Sequence, residues 1–118
     1  MAQSAGPTNE ELLEILEDQY ARDILVETAD GELSAEALAE ACNASEATIY
    51  RRIDRLEAHD LIDAQQRLDP DGHHFKVYSA RLERVSIVLT PEGFDIEIDR
   101  TGQDAADRFT RLYEEFSG

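Results

Sequence analysis

The sequence predicts an α+β fold, and three observations predict it. Apolar residues recur at helical spacing as far as about His59, alternate at strand spacing between Leu61 and Ile98, and return to helical spacing from Ala105 to Phe116. Two strong turn signals, Asp69-Pro70-Asp71-Gly72 and Thr90-Pro91-Glu92-Gly93, punctuate the alternating stretch. A chain of 118 residues, about two-fifths of them apolar, is expected to form one domain (1–118) around a modest core.

Each element follows from local signals. Thr8 and Glu11 have capping-box spacing, and Leu12, Ile15, Leu16, Tyr20, Ile24 and Leu25 continue as one or two helices within 8–30. Ala29-Asp30-Gly31 interrupts them. Ser34 then caps a short helix ending near Cys42, with Leu33, Leu38 and Ala41 expected on its buried side. Asn43-Ala44-Ser45 is the next break, and Ser45 caps a longer helix to about His59, so that 34–59 holds two helices and a tight turn. Residues 61–80 read as a hairpin about Asp69–Gly72, and 82–100 as a second. In the last strand Phe94, Ile96 and Ile98 alternate with Asp95, Glu97 and Asp99, giving one apolar and one acidic face. The stretch 103–117 closes the chain as a helix with Ala105, Ala106, Phe109, Leu112, Tyr113 and Phe116 on one stripe.

Charge narrows the possible functions. The formal net charge is −16, and Lys76 is the single lysine among eleven basic residues. An acidic surface ordinarily opposes nucleic acid, because phosphate contacts supply much of the affinity. Arginine preferred over lysine in so acidic a chain points instead to a high-salt cytoplasm. The charge is also uneven: 1–44 carry −10, 82–118 carry −5, and 45–81 only −1. The near-neutral middle is where a nucleic-acid footprint fits. The single cysteine, Cys42, leaves no intramolecular disulfide and no multi-cysteine metal cluster. With no apolar run of membrane-spanning length and no signal-like pattern in Met1–Pro7, a cytoplasmic setting away from membranes is expected.

Two helices joined by a tight turn and followed by a hairpin have the order of a winged helix-turn-helix: N-terminal helices, a three-helix core, a β-wing at 61–80, an extra β-hairpin and a C-terminal helix. The longer helix supports this. Ile49, Ile53 and Leu56 form its inward seam. At roughly 100° per residue the opposite side carries Ala47, Thr48, Arg51 and Arg55, with Arg52 at its edge and Tyr50 about a quarter turn from the seam. With Ser45 at the N-terminus, these residues suit a helix lying in a major groove, where arginine pairs with guanine or phosphate. On the wing, Arg67, His73 and Lys76 flank the tip and are expected on the backbone or minor groove. The competing reading is a solvated face whose arginines pair with Asp54, Glu57 or Asp60.

The stretch Leu33–Asp63, including Leu33-Ser34, Leu38-Ala39, Ser45, Thr48-Ile49-Tyr50-Arg51-Arg52, Leu56 and Leu61-Ile62, resembles the core of ArsR-like and PadR-like winged-helix regulators. It is similar in particular to small single-domain regulators of halophilic archaea, a type that includes an oxidative-stress regulator. The likeness covers roughly 10–80 well and the rest loosely. It implies a transcription regulator that binds a pseudo-palindromic promoter operator on double-stranded DNA as a homodimer. Metal-sensing members carry paired cysteines, which Cys42 alone does not supply.

The dimer contact is expected on Leu12 and Leu16 of the first helix and on Phe109, Leu112, Tyr113 and Phe116 of the last. Salt ions are candidate bridges between acidic side chains and phosphates. Neither a cofactor nor a resident metal is expected, since adjacent His73 and His74 on a strand point to opposite faces beside Asp69 and Asp71. No enzymatic activity is expected, because the three histidines have no nucleophile at suggestive spacing and no phosphate-binding glycine loop is present. The alternatives are a non-specific architectural DNA-binding protein and a winged-helix module that binds another protein.

Overall fold

The computed structural model describes residues 9–101. The expected Thr8 cap and the closing helix at 103–117, with Phe109, Leu112, Tyr113 and Phe116, lie outside the described residues. By its internal contacts the chain divides after Ala80 into two compact units.

In the first unit, α1 (Asn9–Glu17) and α2 (Gln19–Thr28) meet at Asp18, whose carboxylate caps α2 by accepting from the Ala21 N–H at 3.3 Å. The helical run therefore breaks into two helices at a capping residue. Ser34 caps α3 (Ala35–Ala41) through the Ala37 N–H, and Ser45 caps α4 (Glu46–Ala58) through the Thr48 N–H. Both helices end alike. Asn43 (φ 54°) and Asp60 (φ 63°) take the left-handed conformation, and the N–H of each following residue reaches back five positions, from Ala44 to Ala39 and from Leu61 to Leu56. This Schellman arrangement turns the chain sharply without leaving the last carbonyls unpaired. Asparagine and aspartate tolerate that backbone better than most residues with a Cβ.

The core is built from the inward stripe of each helix: Leu12 and Ile15, Ile24 and Leu25, Leu38, then Ile49, Ile53 and Leu56. Leu61 and Ile62 carry it into the sheet, where Val77 and Tyr78 complete it. Thr28, buried to 2% exposure, donates to the Ile24 carbonyl at 2.7 Å, so its burial leaves no unmet donor. Helix α3 departs from expectation. Ala35, Leu38 and Ala39 face inward, whereas Ala41 is exposed. Leu33, only partly buried, belongs to the sheet rather than the helix, exchanging hydrogen bonds with Tyr78 at 3.1 and 2.8 Å.

Strands β1 (Ile62–Leu68) and β2 (His74–Ala80) pair antiparallel in the register Ile62↔Ala80 to Leu68↔His74. With the Leu33 bridge on its other edge, β2 is central to a small three-strand arrangement. At the hairpin tip Asp69 Oδ1 accepts from the Asp71 and His73 N–H groups at 2.9 and 2.8 Å, and Gly72 takes φ 89°. That positive φ is why glycine stands there.

The second unit holds β3 (Leu82–Thr90) and β4 (Gly93–Arg100), antiparallel with an irregularity between Leu82 and Arg84. The pairs Val85↔Ile98, Ile87↔Ile96 and Leu89↔Phe94 share one face; Ser86↔Glu97, Val88↔Asp95 and Arg84↔Asp99 share the other. Among the described residues no helix is long and apolar enough to cross a membrane.

Candidate nucleic-acid interface

Helix α4 has three distinct faces. The seam Ile49, Ile53 and Leu56 is at most 1% exposed. A second stripe, Glu46, Tyr50, Asp54 and Glu57, recurs at three- and four-residue spacing and lines a cleft against the β1–β2 hairpin. The third face carries Ala47 and Arg51, both exposed, and half-buried Thr48, with exposed Arg55 one turn further on.

The basic residues on α4 differ in what holds them. Arg51 is exposed and makes no hydrogen bond or ion pair among the described residues. Arg55 Nη2 stands 3.9 Å from Glu14 Oε1, with both side chains well exposed, a loose pairing that solvent screens. Arg52 is fixed. Its Nε donates to Asp18 Oδ2 at 2.6 Å and its Nη2 to Oδ1 at 3.4 Å, while its guanidinium lies 5.6 Å from the centre of the Tyr20 ring. The arginine hydrogen bond holds the Asp18 carboxyl below its ordinary range. Arg52, expected at the edge of the reading face, thus ties α4 to the α1–α2 junction. Its partner is Asp18, not the neighbouring acids of α4, because a guanidinium on that side of the helix meets α2.

At the N-terminus of α4 the Ser45 hydroxyl accepts from the Thr48 N–H at 3.1 Å and lies 3.0 Å from Thr48 Oγ1. The cap and the threonine therefore present one linked hydroxyl pair at the positive end of the helix dipole. At the opposite end His59 Nδ1 lies 3.0 Å from the Arg55 carbonyl and Nε2 lies 3.4 Å from Glu11 Oε1.

On the hairpin, Arg67 is engaged: it forms a two-pronged pair with Glu32 and donates to Gln65 Oε1 at 3.0 Å and the Gln66 carbonyl at 3.3 Å. Lys76 is exposed and has no partner among the described residues, while exposed His73 places Nδ1 3.5 Å from Asp69 Oδ2. Ligand atoms of Asp69, Asp71 and His73 all lie within 4.8 Å of one another, but the turn already uses one Asp69 oxygen.

Leu12, expected at a subunit contact, is buried in its own core (4% exposed), because α1 turns Leu12 and Ile15 against α2. Its neighbour Leu13 is the exposed leucine of that helix, and Leu16 is partly buried. The wing-facing stripe of α4 was missed in the sequence. Its signal was the spacing of Glu46, Tyr50, Asp54 and Glu57, which a search for basic residues passes over.

A comparison with curated proteins finds no match. Residues 16–65, from the end of α1 through α2, α3 and α4 into β1, match the family model described as a helix-turn-helix domain, which supports a helix-turn-helix DNA-binding regulator.

Proposed function

We propose that the chain is a sequence-specific transcription regulator of the ArsR-like and PadR-like kind, binding operator DNA as a homodimer. Helix α4 lies in the major groove and the β1–β2 wing beside it. The observation that carries this reading is the third face of α4: Arg51 stands exposed and unpaired among the described residues, on the helix that follows the tight turn. Arg51 is the first choice for a base contact, and Arg55 for a base or phosphate. Ser45 and Thr48 suit a phosphate at the helix start. Ala47 leaves room for a close approach. Lys76 and His73 supply the wing, whereas Arg67 reaches phosphate only by leaving Glu32. Dimerisation is assigned to Leu16 with Phe109, Leu112, Tyr113 and Phe116, and salt ions bridge acidic groups to phosphates.

The test is titration of the whole chain, in molar KCl, with its own promoter and with a scrambled duplex. Preferential binding to the promoter is expected. Arg51→Ala should weaken it by about 1–3 kcal/mol if Arg51 contacts a base. Equal affinity for both duplexes would make the protein architectural; no binding at any salt concentration would leave protein recognition as its role.

A further inference from the structure

The cleft between α4 and the wing has a chemistry that DNA reading does not use. It is an open cleft of about 580 Å³, a volume within the range of small-molecule sites. Glu46, Asp54 and Glu57 reach it from α4 and Glu36 from α3, opposed by one permanent cation, Lys76. Two rings that line it, Tyr50 and Phe75, are 48% and 41% exposed. Tyr78, also in the lining, is only 4% exposed, yet its hydroxyl has no hydrogen-bond partner among the described residues. Among the described residues no buried polar side-chain atom lacks a partner, so this oxygen keeps contact with solvent and is open to a donor.

We propose that this cleft binds an organic ammonium ion carried on an apolar or aromatic body, its N–H groups donating to Tyr78 Oη and to the carboxylates of Asp54 and Glu57 while Tyr50 and Phe75 cover the body. The positive charge answers the excess of carboxylates, and a cation over an aromatic ring is favourable where water is partly excluded. Burial and the nearby Tyr50, Glu57 and Asp54 push the Tyr78 phenol above its ordinary range, so its oxygen is a neutral acceptor. A metal ion fits less well. The carboxylate oxygens of the cleft do not converge; among the described residues only Asp69, Asp71 and His73 bring three ligand atoms together, at the wing tip. An anion would face four carboxylates.

Tyr50 and Lys76 border both this cleft and the proposed DNA face, so ligand and duplex should compete. That corollary rests on the DNA-binding reading; the site itself does not. The experiment follows backbone amide resonances of the whole chain at constant ionic strength during titration with phenethylamine, phenethyl alcohol and phenylacetate. These probes share a ring and differ in head-group charge. Phenethylamine should shift amides around Tyr50, Asp54 and Tyr78 and bind roughly tenfold more tightly than either other probe, as one charge-assisted contact implies. Asp54→Asn with Glu57→Gln should remove that preference, and Tyr78→Phe should weaken amine binding in a chain whose spectrum is otherwise unchanged. Equal binding of all three probes, shifts confined to other surfaces, no binding at all, or undiminished preference in the charge-neutral variant would each overturn the site. Amine binding without duplex binding would sink the regulatory reading and leave the site standing; duplex binding without amine binding would do the reverse.

Discussion

Arg51 and Arg52 are adjacent in the sequence and unlike in the fold. One hundred degrees of helix separates a side chain with no partner among the described residues from one clamped at 2.6 Å to Asp18. Asp18 serves two elements at once, capping α2 and anchoring α4, so its loss should be felt in stability. Arg52→Ala should lower unfolding free energy by about 1–3 kcal/mol, the range for a charge-assisted hydrogen bond whose partner is left behind. A double-mutant cycle with Asp18→Asn should show strong coupling; additive effects would mean that the pair contributes nothing. The pair should also leave a pH signature. The Asp18 carboxyl titrates below its ordinary range in the folded state, chiefly through the Arg52 hydrogen bond. The stabilisation is therefore fully present above the unfolded value of about 4 and is lost as pH falls through the lower folded value. Urea unfolding across that acid range should show the advantage of the native chain over Asp18→Asn constant near neutrality and shrinking below about pH 4. An advantage that grows on acidification would contradict the assignment.

At the scale of elements, the described helices and hairpins were legible because their boundaries are written in local chemistry. Ser34 and Ser45 cap where expected, Asn43 marks the turn between α3 and α4, and Asp69–Gly72 closes the first hairpin. What failed to show was nonlocal. Leu33 has the composition of a helix approach, yet its backbone completes a strand pair with Tyr78, a partner forty-five positions away. Arg52 and Arg67 have basic side chains that suit phosphate, and only packing reveals that Asp18 and Glu32 hold them. The cleft was hidden for the same reason, since five of its twelve lining residues come from the opposite hairpin. The turn itself offers a direct test. Asn43 sits at φ 54°, so Asn43→Gly should leave stability nearly unchanged. Asn43→Val should destabilise by about 1–2 kcal/mol, because a branched Cβ is strained there. Equal thermal unfolding of the two variants would show that the left-handed turn is not retained in solution.

For the whole molecule the decisive quantity is a net charge of −16 in a chain assigned to a polyanion. Two salt effects then oppose each other. A protein that neutralises phosphates releases counterions, and its affinity falls with salt by about 0.9 logarithmic units per phosphate per decade. A protein carrying sixteen excess negative charges also repels the duplex and itself, and salt weakens both repulsions over a distance of about 10 Å at 0.1 M. The balance is local as well as global. Arg51, Arg55 and Lys76 favour phosphate, while the adjoining Glu46, Asp54 and Glu57 stripe and the Asp69–Asp71 tip oppose it. At low salt the repulsion reaches across the whole interface; at high salt only the short contacts made by the exposed basic groups survive. Affinity for the promoter duplex should therefore rise with KCl from dilute buffer, pass through a broad maximum and decline only gently beyond it. Unfolding free energy, which involves the self-repulsion but no phosphate, should rise throughout. Fluorescence anisotropy of labelled duplex and urea unfolding over the same KCl series separate the two effects. A steep monotonic loss of affinity would mean that phosphate contacts dominate and that the acidic stripe lies away from DNA. Affinity rising in parallel with stability would mean that salt acts on folding alone.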